Sequence, residues 1–250
     1  MLRLRPRPSS LLLLVLLSPA AEAAAQDASE DGFAHPELLV STAWIAEHGG
    51  DPGVVVVDVR EVRVHEAGHV PGAVGLPSAA TYDPKTPGGI GSHEQIAGLL
   101  GARGITPANH VVLYDEGRSI WAARVFWTLE VLGHARVSVL DGGFAKWTAE
   151  KRPTTTDVVQ RAPVEYASTA RPERLSTTDR VLEDVGVAQA VLLDARSQRE
   201  YEAGRIPGAV RIEWTESYTT DEVPVFRSPA ELRKLYADRG VTPDKRVHAY

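Results

Sequence analysis

The feature that most constrains this chain is an internal repeat. Residues 54–114 recur as residues 190–250, displaced by 136 positions without a gap. Over residues 55–74 alone, 11 of 20 positions are identical between the two copies. A repeat of this length predicts two domains of the same fold rather than one large domain.

Each copy shows alternating strand and helix patterns. The apolar runs at 54–57 and 190–193 each end at an aspartate and are typical of strands buried on both faces of a sheet. Amphipathic helices are predicted at 92–100 and 228–236, and each has a serine near its start as a cap. Strands separated by helices predict an α/β fold, with a parallel sheet flanked by helices in each domain.

The first copy continues beyond the repeat, with a predicted helix at 120–132 and a strand at 137–140. The first domain is therefore predicted to span residues 34–150, and the second residues 173–250. The stretch at 151–172 is rich in Thr, Pro and Arg and has little periodicity, so we predict that it is the linker between the domains.

The two copies differ beyond the last strand that they share. In the first copy Tyr114 is followed by Asp115, which opens a short glycine-containing loop, and the counterpart of Tyr114 is Tyr250. A matching second domain would continue to about residue 286. We therefore expect the second domain to be incomplete here, without that loop, the next helix and a last strand. A domain that lacks so much of its core should not be stable alone.

The first 25 residues are typical of a secretory signal peptide. Three arginines precede an unbroken apolar run at 11–17, and small residues around 21–25 suit a signal peptidase. We favour cleavage after Ala25, with Ala23 as the alternative site. The apolar run is far shorter than the roughly 20 residues that span a bilayer, so no membrane span is expected after cleavage. The sequence predicts an exported protein, either in the bacterial periplasm or secreted.

Composition excludes several classes of function. The net charge is −6 and no long basic run is present, which makes the chain a poor candidate for nucleic-acid binding. The 250 residues contain no cysteine, so they hold no disulfide, no thiolate metal site and no thiol nucleophile.

Residues 65–69 read His-Glu-Ala-Gly-His and match the zinc-protease pattern H-E-x-x-H. That chemistry needs both histidines on one face of a stable helix, whereas Gly68 interrupts the segment and Pro71 comes closely after it. The second copy has Tyr201 and Arg205 in place of the two histidines. We therefore predict a turn between a helix and a strand, and no metal site.

Asp58 and Asp194 lie at the C-terminal ends of predicted strands, where open α/β sheets place their ligand sites. Structural ion pairs occupy the same places, and for both aspartates we favour a structural carboxylate that caps a loop or pairs with an arginine. The neighbouring Arg60 and Arg196 each suit either a bound anion or an ion pair, and the residues alone leave both open.

The loop at 115–120 lies between a strand and a helix N-terminus. It presents backbone N–H groups and the positive end of a helix, which favour an anion at its centre. With a cysteine at its first position, the same geometry would lower the pKa of the thiol and stabilise a thiolate or a persulfide. The first copy has Asp115 there, and a carboxylate satisfies the N–H groups but cannot carry sulfur.

At this point several segments resemble a known family, the two-domain rhodaneses. Those similar to the N-terminal domain of that family are Val-Val-Leu-Tyr-Asp at 111–115, Ala-Ala-Arg-Val-Phe-Trp at 122–127 and Val-Ser-Val-Leu-Asp-Gly-Gly-Phe at 137–144. The paired segments at 68–73 and 204–209 resemble the recurring G-[HR]-[IV]-P-G-A turn of rhodanese domains. From about residue 36 to residue 250, the chain thus resembles the thiosulfate and 3-mercaptopyruvate sulfurtransferases.

The resemblance implies two rhodanese-like domains, the first non-catalytic and the second of the catalytic type. Asp115 fits the non-catalytic copy, and the nucleophilic cysteine is expected directly after Tyr250. The implied reaction takes a sulfur atom from a small anionic donor, holds it as a cysteine persulfide, and passes it to a thiol or to cyanide. The resemblance implies no metal and no organic cofactor.

Arg196 and Arg199 are the residues that we expect to bind the anionic donor. Members of the family that act on mercaptopyruvate or thiosulfate often carry an arginine four residues after the arginine of their Asp-x-Arg motif. Here that position is Glu200, and an insertion that they often carry before the Gly204 turn is absent. A carboxylate at that place would repel an anionic substrate, so the identity of the donor stays open.

Three functions remain open from the sequence. An exported sulfurtransferase predicts a cysteine and a glycine-containing anion loop directly after Tyr250, and residues 1–250 alone should then be inactive. A non-catalytic rhodanese-like binding protein predicts Asp, Ser or Gly there, or a stop. A rhodanese-like phosphatase predicts a cysteine and a longer loop that ends in arginine.

Overall fold

The computed structural model describes residues 32–86 and 88–250, and the predicted signal peptide lies outside these residues. The strands of the first domain are β1 (Leu39–Val40), β2 (Val54–Asp58), β3 (Val74–Gly75), β4 (His110–Tyr114) and β5 (Val137–Leu140). Its helices are α1 (Thr42–His48), α2 (Val62–Ala67), α3 (His93–Gly101), α4 (Ile120–Leu132) and α5 (Gly143–Ala149). The elements of the second domain are α6 (Thr178–Asp184), β6 (Ala190–Asp194), α7 (Gln198–Ala203), β7 (Val210–Arg211), α8 (Pro229–Ala237) and β8 (Arg246–Ala249).

Two parallel sheets organise the described residues. The first sheet has the strand order β1-β5-β4-β2-β3, and the second has the order β7-β6-β8. Strands β6, β7 and β8 occupy the places of β2, β3 and β4. The predicted α/β fold with parallel sheets flanked by helices is confirmed. No helix within residues 32–86 and 88–250 combines the length and the apolarity that crossing a membrane requires.

The central strands are apolar throughout because both of their faces are covered. Along β2, Val55 and Val57 pack into one apolar layer, whereas Val54 and Val56 pack into the other, which contains Trp147. Every residue of β2 and β4 is buried. Burying one such side chain contributes about 2 kcal/mol to the stability of the fold. These strands therefore fix the position of the residues at the C-terminal edge of the sheet.

The repeat extends further towards the N-terminus than the sequence comparison predicted. The 3-10 turns Pro36–Leu38 and Pro172–Arg174 are 136 residues apart, and so are α1 and α6. Each of these helices starts at a hydroxyl cap, Ser41 or Thr177, whose side chain accepts a backbone N–H. The exposed faces of the two helices share few residues, which hid this part of the repeat.

Strand β8 is an edge strand in the described sheet. Val247 is 39% exposed, whereas its counterpart Val111 in β4 is 0% exposed because β5 pairs beside it. On the covered side, His248 is buried and bonds through Nδ1 to Ser176 Oγ at 2.7 Å and through Nε2 to Asp184 Oδ2 at 2.6 Å. This polar contact fastens β8 to α6.

The predicted linker, residues 151–172, lies in extended form along the first domain. Thr155 and His69 exchange backbone hydrogen bonds of 2.9 and 3.0 Å, and the N–H of Val164 donates to the carbonyl of Gly101. Tyr166 is buried in the core, with its hydroxyl 2.7 Å from Nδ1 of His134. We call residues 153–166 the strap, because they cover a side of the first domain.

The segment that matches H-E-x-x-H was predicted as a turn, and the structure corrects this in part. Helix α2 includes His65 and Glu66 and ends at Gly68, so the turn begins only there. His69 lies beyond the helix and contacts the carbonyl of His65 through Nδ1 at 2.8 Å and that of Asp157 through Nε2 at 3.1 Å. Both histidine rings are held by protein groups.

The backbone of Thr169 lies very close to Gly133 at the end of α4. Gly133 has φ of 90°, and a Cβ atom there would collide with the carbonyl oxygen of Thr169. We expect Gly133→Ala to lower the free energy of unfolding by about 2 kcal/mol, since both the backbone and the contact are strained. Urea denaturation measures the change.

The matched control is Gly98→Ala in α3, where a Cβ atom meets nothing within 4 Å. We expect Gly98→Ala, at this exposed helix position, to raise the free energy of unfolding by about 0.5 to 1 kcal/mol, because alanine favours the helix over glycine. Equal effects of the two substitutions would contradict the close approach of Thr169 to Gly133.

Candidate functional site

A buried ion pair lies at the C-terminal end of β2. Nε and Nη2 of Arg60 donate to the two carboxylate oxygens of Asp58 at 2.9 and 2.7 Å. Nη2 also donates to the carbonyl of Gly68 at 2.8 Å, and Nη1 donates to Glu116 at 3.2 Å. The hydroxyl of Tyr114 donates to the same carboxylate at 2.9 Å. Arg60 therefore joins the strand end to the turn after α2 and to the loop after β4.

The second domain repeats this arrangement with the predicted site residue Arg196. Its Nε and Nη2 donate to the carboxylate of Asp194 at 2.9 and 2.6 Å, and Nη2 donates to the carbonyl of Gly204 at 2.8 Å. Its guanidinium lies 5.2 Å from the ring centre of Tyr250. Within the described residues Nη1 of Arg196 has no hydrogen bond, whereas Nη1 of Arg60 holds Glu116. The favoured interpretation of both aspartates as structural carboxylates is confirmed, because each pairs with an arginine.

These pairs shift the titration of both carboxyl groups. Burial by itself would raise the pKa of Asp58, but the hydrogen bonds and charge of Arg60, with a hydrogen bond from His65, lower it below its usual value. The hydrogen bond from Arg196 likewise lowers the pKa of Asp194. Both carboxyl groups are therefore ionised at neutral pH.

Arg199, the other predicted donor-binding residue, lies exposed on α7. It makes no hydrogen bond or ion pair within the described part of the chain. Glu200 beside it accepts hydrogen bonds from the backbone N–H and the hydroxyl of Ser197, at 3.1 and 2.5 Å, as part of a capping box. The hydrogen bond from Ser197 lowers the pKa of Glu200. The carboxylate of Glu200 is thus used to start the helix.

Asp115 sits where the sequence predicts an anion. Its Oδ1 accepts the backbone N–H groups of Gly117 and Ser119, each at 3.0 Å. Its Oδ2 accepts those of Trp121 and Ala122, at 2.9 and 3.3 Å. The side chain is buried, and all four donors belong to the loop or to the first turn of α4. We call this set of donors the nest.

The nest is braced from behind by the Asp-Gly-Gly turn before α5. The carbonyl of Asp115 accepts the N–H of Phe144 at 2.9 Å, and the carbonyl of Glu116 accepts that of Ala145 at 2.8 Å. A Cβ atom on Gly143 would collide with the carbonyl oxygen of Asp115 and with Gly117. Ser119 adopts φ of 54°, which turns successive N–H groups inward. The geometry therefore suits a single bound negative charge.

A cleft of about 350 Å³ lies between this loop and the second domain. It is lined by Arg118 from the loop and, from the second domain, by Thr215, Glu216, Tyr218, Thr219, Thr220 and Arg227. Asp141 joins the domains beside it, because its Oδ1 accepts the N–H of Phe226 at 2.9 Å. Burial raises the pKa of Asp141 despite this bond, and burial also raises the pKa of Tyr218.

Several of these residues were missed by sequence reasoning. Arg118 has no repeat counterpart within the chain, and Asp141 stood out only as a member of the segment 137–144. Tyr218 repeats Tyr82, and that identity was an available signal. The capping box at Ser197 and Glu200 was also readable as S-x-x-E. Among the described residues, no group of three or more His, Asp or Glu is arranged to hold a metal ion.

The lowered pKa of Asp58 predicts how stability depends on pH. Stability from the Asp58–Arg60 pair should be fully present above the usual carboxyl pKa of about 3.9 and lost as the pH falls through the lower folded value. We expect Asp58→Asn to cost about 3 kcal/mol at neutral pH, because it leaves Arg60 buried without its partner. Urea denaturation of both proteins should show that difference shrinking on acidification, and a constant difference would contradict the assignment.

An added anion should restore the stability of a variant that lacks the Asp115 carboxylate. Asp115→Ala leaves four N–H groups unsatisfied, so we expect about 2 kcal/mol or more of destabilisation. Added thiosulfate or sulfate should then bind in place of the carboxylate and raise the melting temperature of this variant, relative to sodium chloride of equal ionic strength.

Asp115→Asn is the matched control, because its side chain keeps filling the nest. Neither it nor the unchanged protein should respond to the divalent anions beyond the salt control. A response of equal size in all three proteins would contradict the view that the carboxylate occupies an anion site.

Comparison with known proteins agrees with this geometry. Residues 41–150 and 177–250 match the Rhodanese-like domain family. The sulfur carrier protein TtuD of Thermus thermophilus is 37% identical to this chain, over 88% of the chain and 84% of that protein. A putative thiosulfate sulfurtransferase, SseA of Mycobacterium tuberculosis, is 35% identical over 87% of the chain and 78% of that protein.

The fold comparison gives the same result. The crystal structure of SseA from Escherichia coli, a 3-mercaptopyruvate sulfotransferase, superposes with a TM-score of 0.76 and 28% identity, over 85% of this chain and 87% of that one. The family match, the relatives and the fold comparison lead to one assignment. This chain belongs to the rhodanese family of sulfurtransferases.

Proposed function

We propose that the full-length protein moves a sulfane sulfur from thiosulfate or 3-mercaptopyruvate to a thiol or cyanide acceptor, through a cysteine persulfide. The cysteine is proposed to come directly after Tyr250, at the position that Asp115 holds in the first domain. The single observation that carries this proposal is the nest around Asp115, because a loop that holds one buried negative charge is suited to a thiolate or persulfide.

The second domain supplies the framework on which such a loop depends. In the first domain the loop comes after β4, and the Asp58–Arg60 pair and Tyr114 fix its start. In the second domain Asp194, Arg196 and Tyr250 form the same group at the end of β6 and β8. A loop placed after Tyr250 would therefore begin from the same geometry.

Asp115 supports a division of labour between the domains. Its carboxylate satisfies the four donors of the nest, so the first domain has no room there for a sulfur-bearing side chain or a bound anion. We propose that the first domain is non-catalytic and that residues 1–250 alone are inactive.

The proposed reaction is a double displacement. With thiosulfate, the thiolate attacks the outer sulfur, the sulfur–sulfur bond breaks and sulfite leaves. With 3-mercaptopyruvate, the thiolate attacks the thiol sulfur, the carbon–sulfur bond breaks, and the enolate that leaves takes up the proton of the donor thiol to give pyruvate. The acceptor then attacks the outer sulfur of the persulfide and restores the thiolate.

We propose that Arg199 and the free Nη1 of Arg196 attract the anionic donor. We also propose that the signal at residues 1–25 directs the protein out of the cytoplasm.

The decisive experiment determines the residue after Tyr250 and assays the full-length protein for thiocyanate formation from cyanide. We expect a cysteine, turnover with thiosulfate or 3-mercaptopyruvate, and loss of turnover when that cysteine is replaced by serine. A non-nucleophilic residue there, or turnover that survives the replacement, would overturn the proposal and favour a non-catalytic binding protein.

The proposed role of Arg199 has its own test. Arg199→Ala should raise the KM for thiosulfate roughly threefold to tenfold with little change in kcat, because an exposed cation adds to binding but not to the chemical step. Arg63→Ala is the matched control, since Arg63 is the counterpart of Arg199 in the first domain and is also exposed. Equal effects of both substitutions would contradict a local role for Arg199.

A further inference from the structure

A large cleft lies in the first domain, under the strap. Its volume is about 590 Å³, which is in the range of sites for organic ligands. Its walls come from α2, from β3, from the residues after α3, and from residues 156 and 158–161 of the strap. An inorganic oxyanion such as thiosulfate would fill only a small part of it.

The charged groups that line this cleft are mostly cationic. Arg60 is neutralised by Asp58, but Arg103 and Arg161 have no ion pair within the described residues. Arg103 uses Nε and Nη1 to donate to the carbonyls of Gly75 and Leu99, at 2.7 and 2.8 Å. Half-buried Arg161 makes no hydrogen bond at all in the described chain. The one carboxylate in the wall, Glu66, is exposed at the rim.

The repeat provides an internal comparison for Arg103. Its counterpart in the second domain is Arg239, whose Nη2 lies 3.5 Å from the carboxylate of Glu216. The first domain has Ala80 at the position of Glu216. The arginine is thus kept in both domains, but its carboxylate partner is present only in the second.

Apolar side chains line the same cleft as these cations. Val74 and Val159 lie in the wall, and Val62 and Val158 remain 53% and 77% exposed at the opening. Large exposed valines beside unpaired guanidinium groups suit a ligand that has an apolar body and an anionic head.

We infer that this cleft binds an organic anion, whose phosphate or carboxylate head contacts Arg103 and Arg161 and whose apolar body lies against the valines of α2 and the strap. Such a ligand would join the strap to α2 and α3. This binding site is an addition to the proposed sulfurtransferase activity and does not depend on it.

The test uses phenyl phosphate and phenylacetate as probes, with benzyl alcohol as the uncharged comparison, on the full-length protein. Binding is followed by backbone amide shifts in a ¹⁵N-labelled sample. We expect saturable shifts confined to α2, to the end of α3 and to residues 156–161 with an anionic probe, and none with benzyl alcohol. Tighter binding of phenyl phosphate would indicate a ligand with a phosphate head, and tighter binding of phenylacetate a ligand with a carboxylate head.

Variants locate the contacts. Arg161→Gln removes no bond of the folded protein, and we expect it to weaken binding of the better probe about tenfold or more. Arg103→Gln should do the same, and Arg239→Gln is the matched control that should leave the affinity unchanged. Shifts outside the cleft, no saturable binding by either anion, or unchanged affinity in Arg161→Gln would overturn the inference.

Discussion

The ion pair at the end of the central strand is the interaction on which the rest of each domain depends. Asp58 and Arg60 are buried together, and Arg60 reaches the turn after α2 and the loop after β4 from one guanidinium group. A buried charge without its partner would cost several kcal/mol, so the pair fixes where both loops start. In the second domain Asp194 and Arg196 repeat the pair and its bond to the turn after α7.

The two domains thus share the Asp-x-Arg pair at the end of the central strand, and the loop after β4 adds the anion nest to the first domain. In the first domain the loop supplies both the four donors and the carboxylate that satisfies them. The site is therefore stable and closed to other anions. A sulfur nucleophile at the same position would meet the same donors, and they would stabilise its charge in both the thiolate and the persulfide states.

Much of the fold could be predicted from periodicity and from the repeat. The strand over His110–Tyr114 and the helix over Ile120–Leu132 are confirmed, because continuous apolar runs and a terminal glycine are local signals. The docking of the strap could not be predicted, since it depends on hydrogen bonds to distant carbonyls, such as that of Gly101. The early start of the repeat was also missed, because α1 and α6 share a hydroxyl cap and their length but few identical residues.

The candidate site was predicted in part. The Asp-x-Arg pairs and the anion loop could be inferred from strand ends and glycine positions, whereas the cleft beside Arg118 depends on how two domains meet.

The central claim is that a persulfide forms only in the second domain. Intact and peptide mass spectrometry of the full-length protein after thiosulfate treatment tests it most directly. We predict one added sulfur atom on the residue after Tyr250, removed by cyanide; no added sulfur, or sulfur on another residue, would contradict the claim.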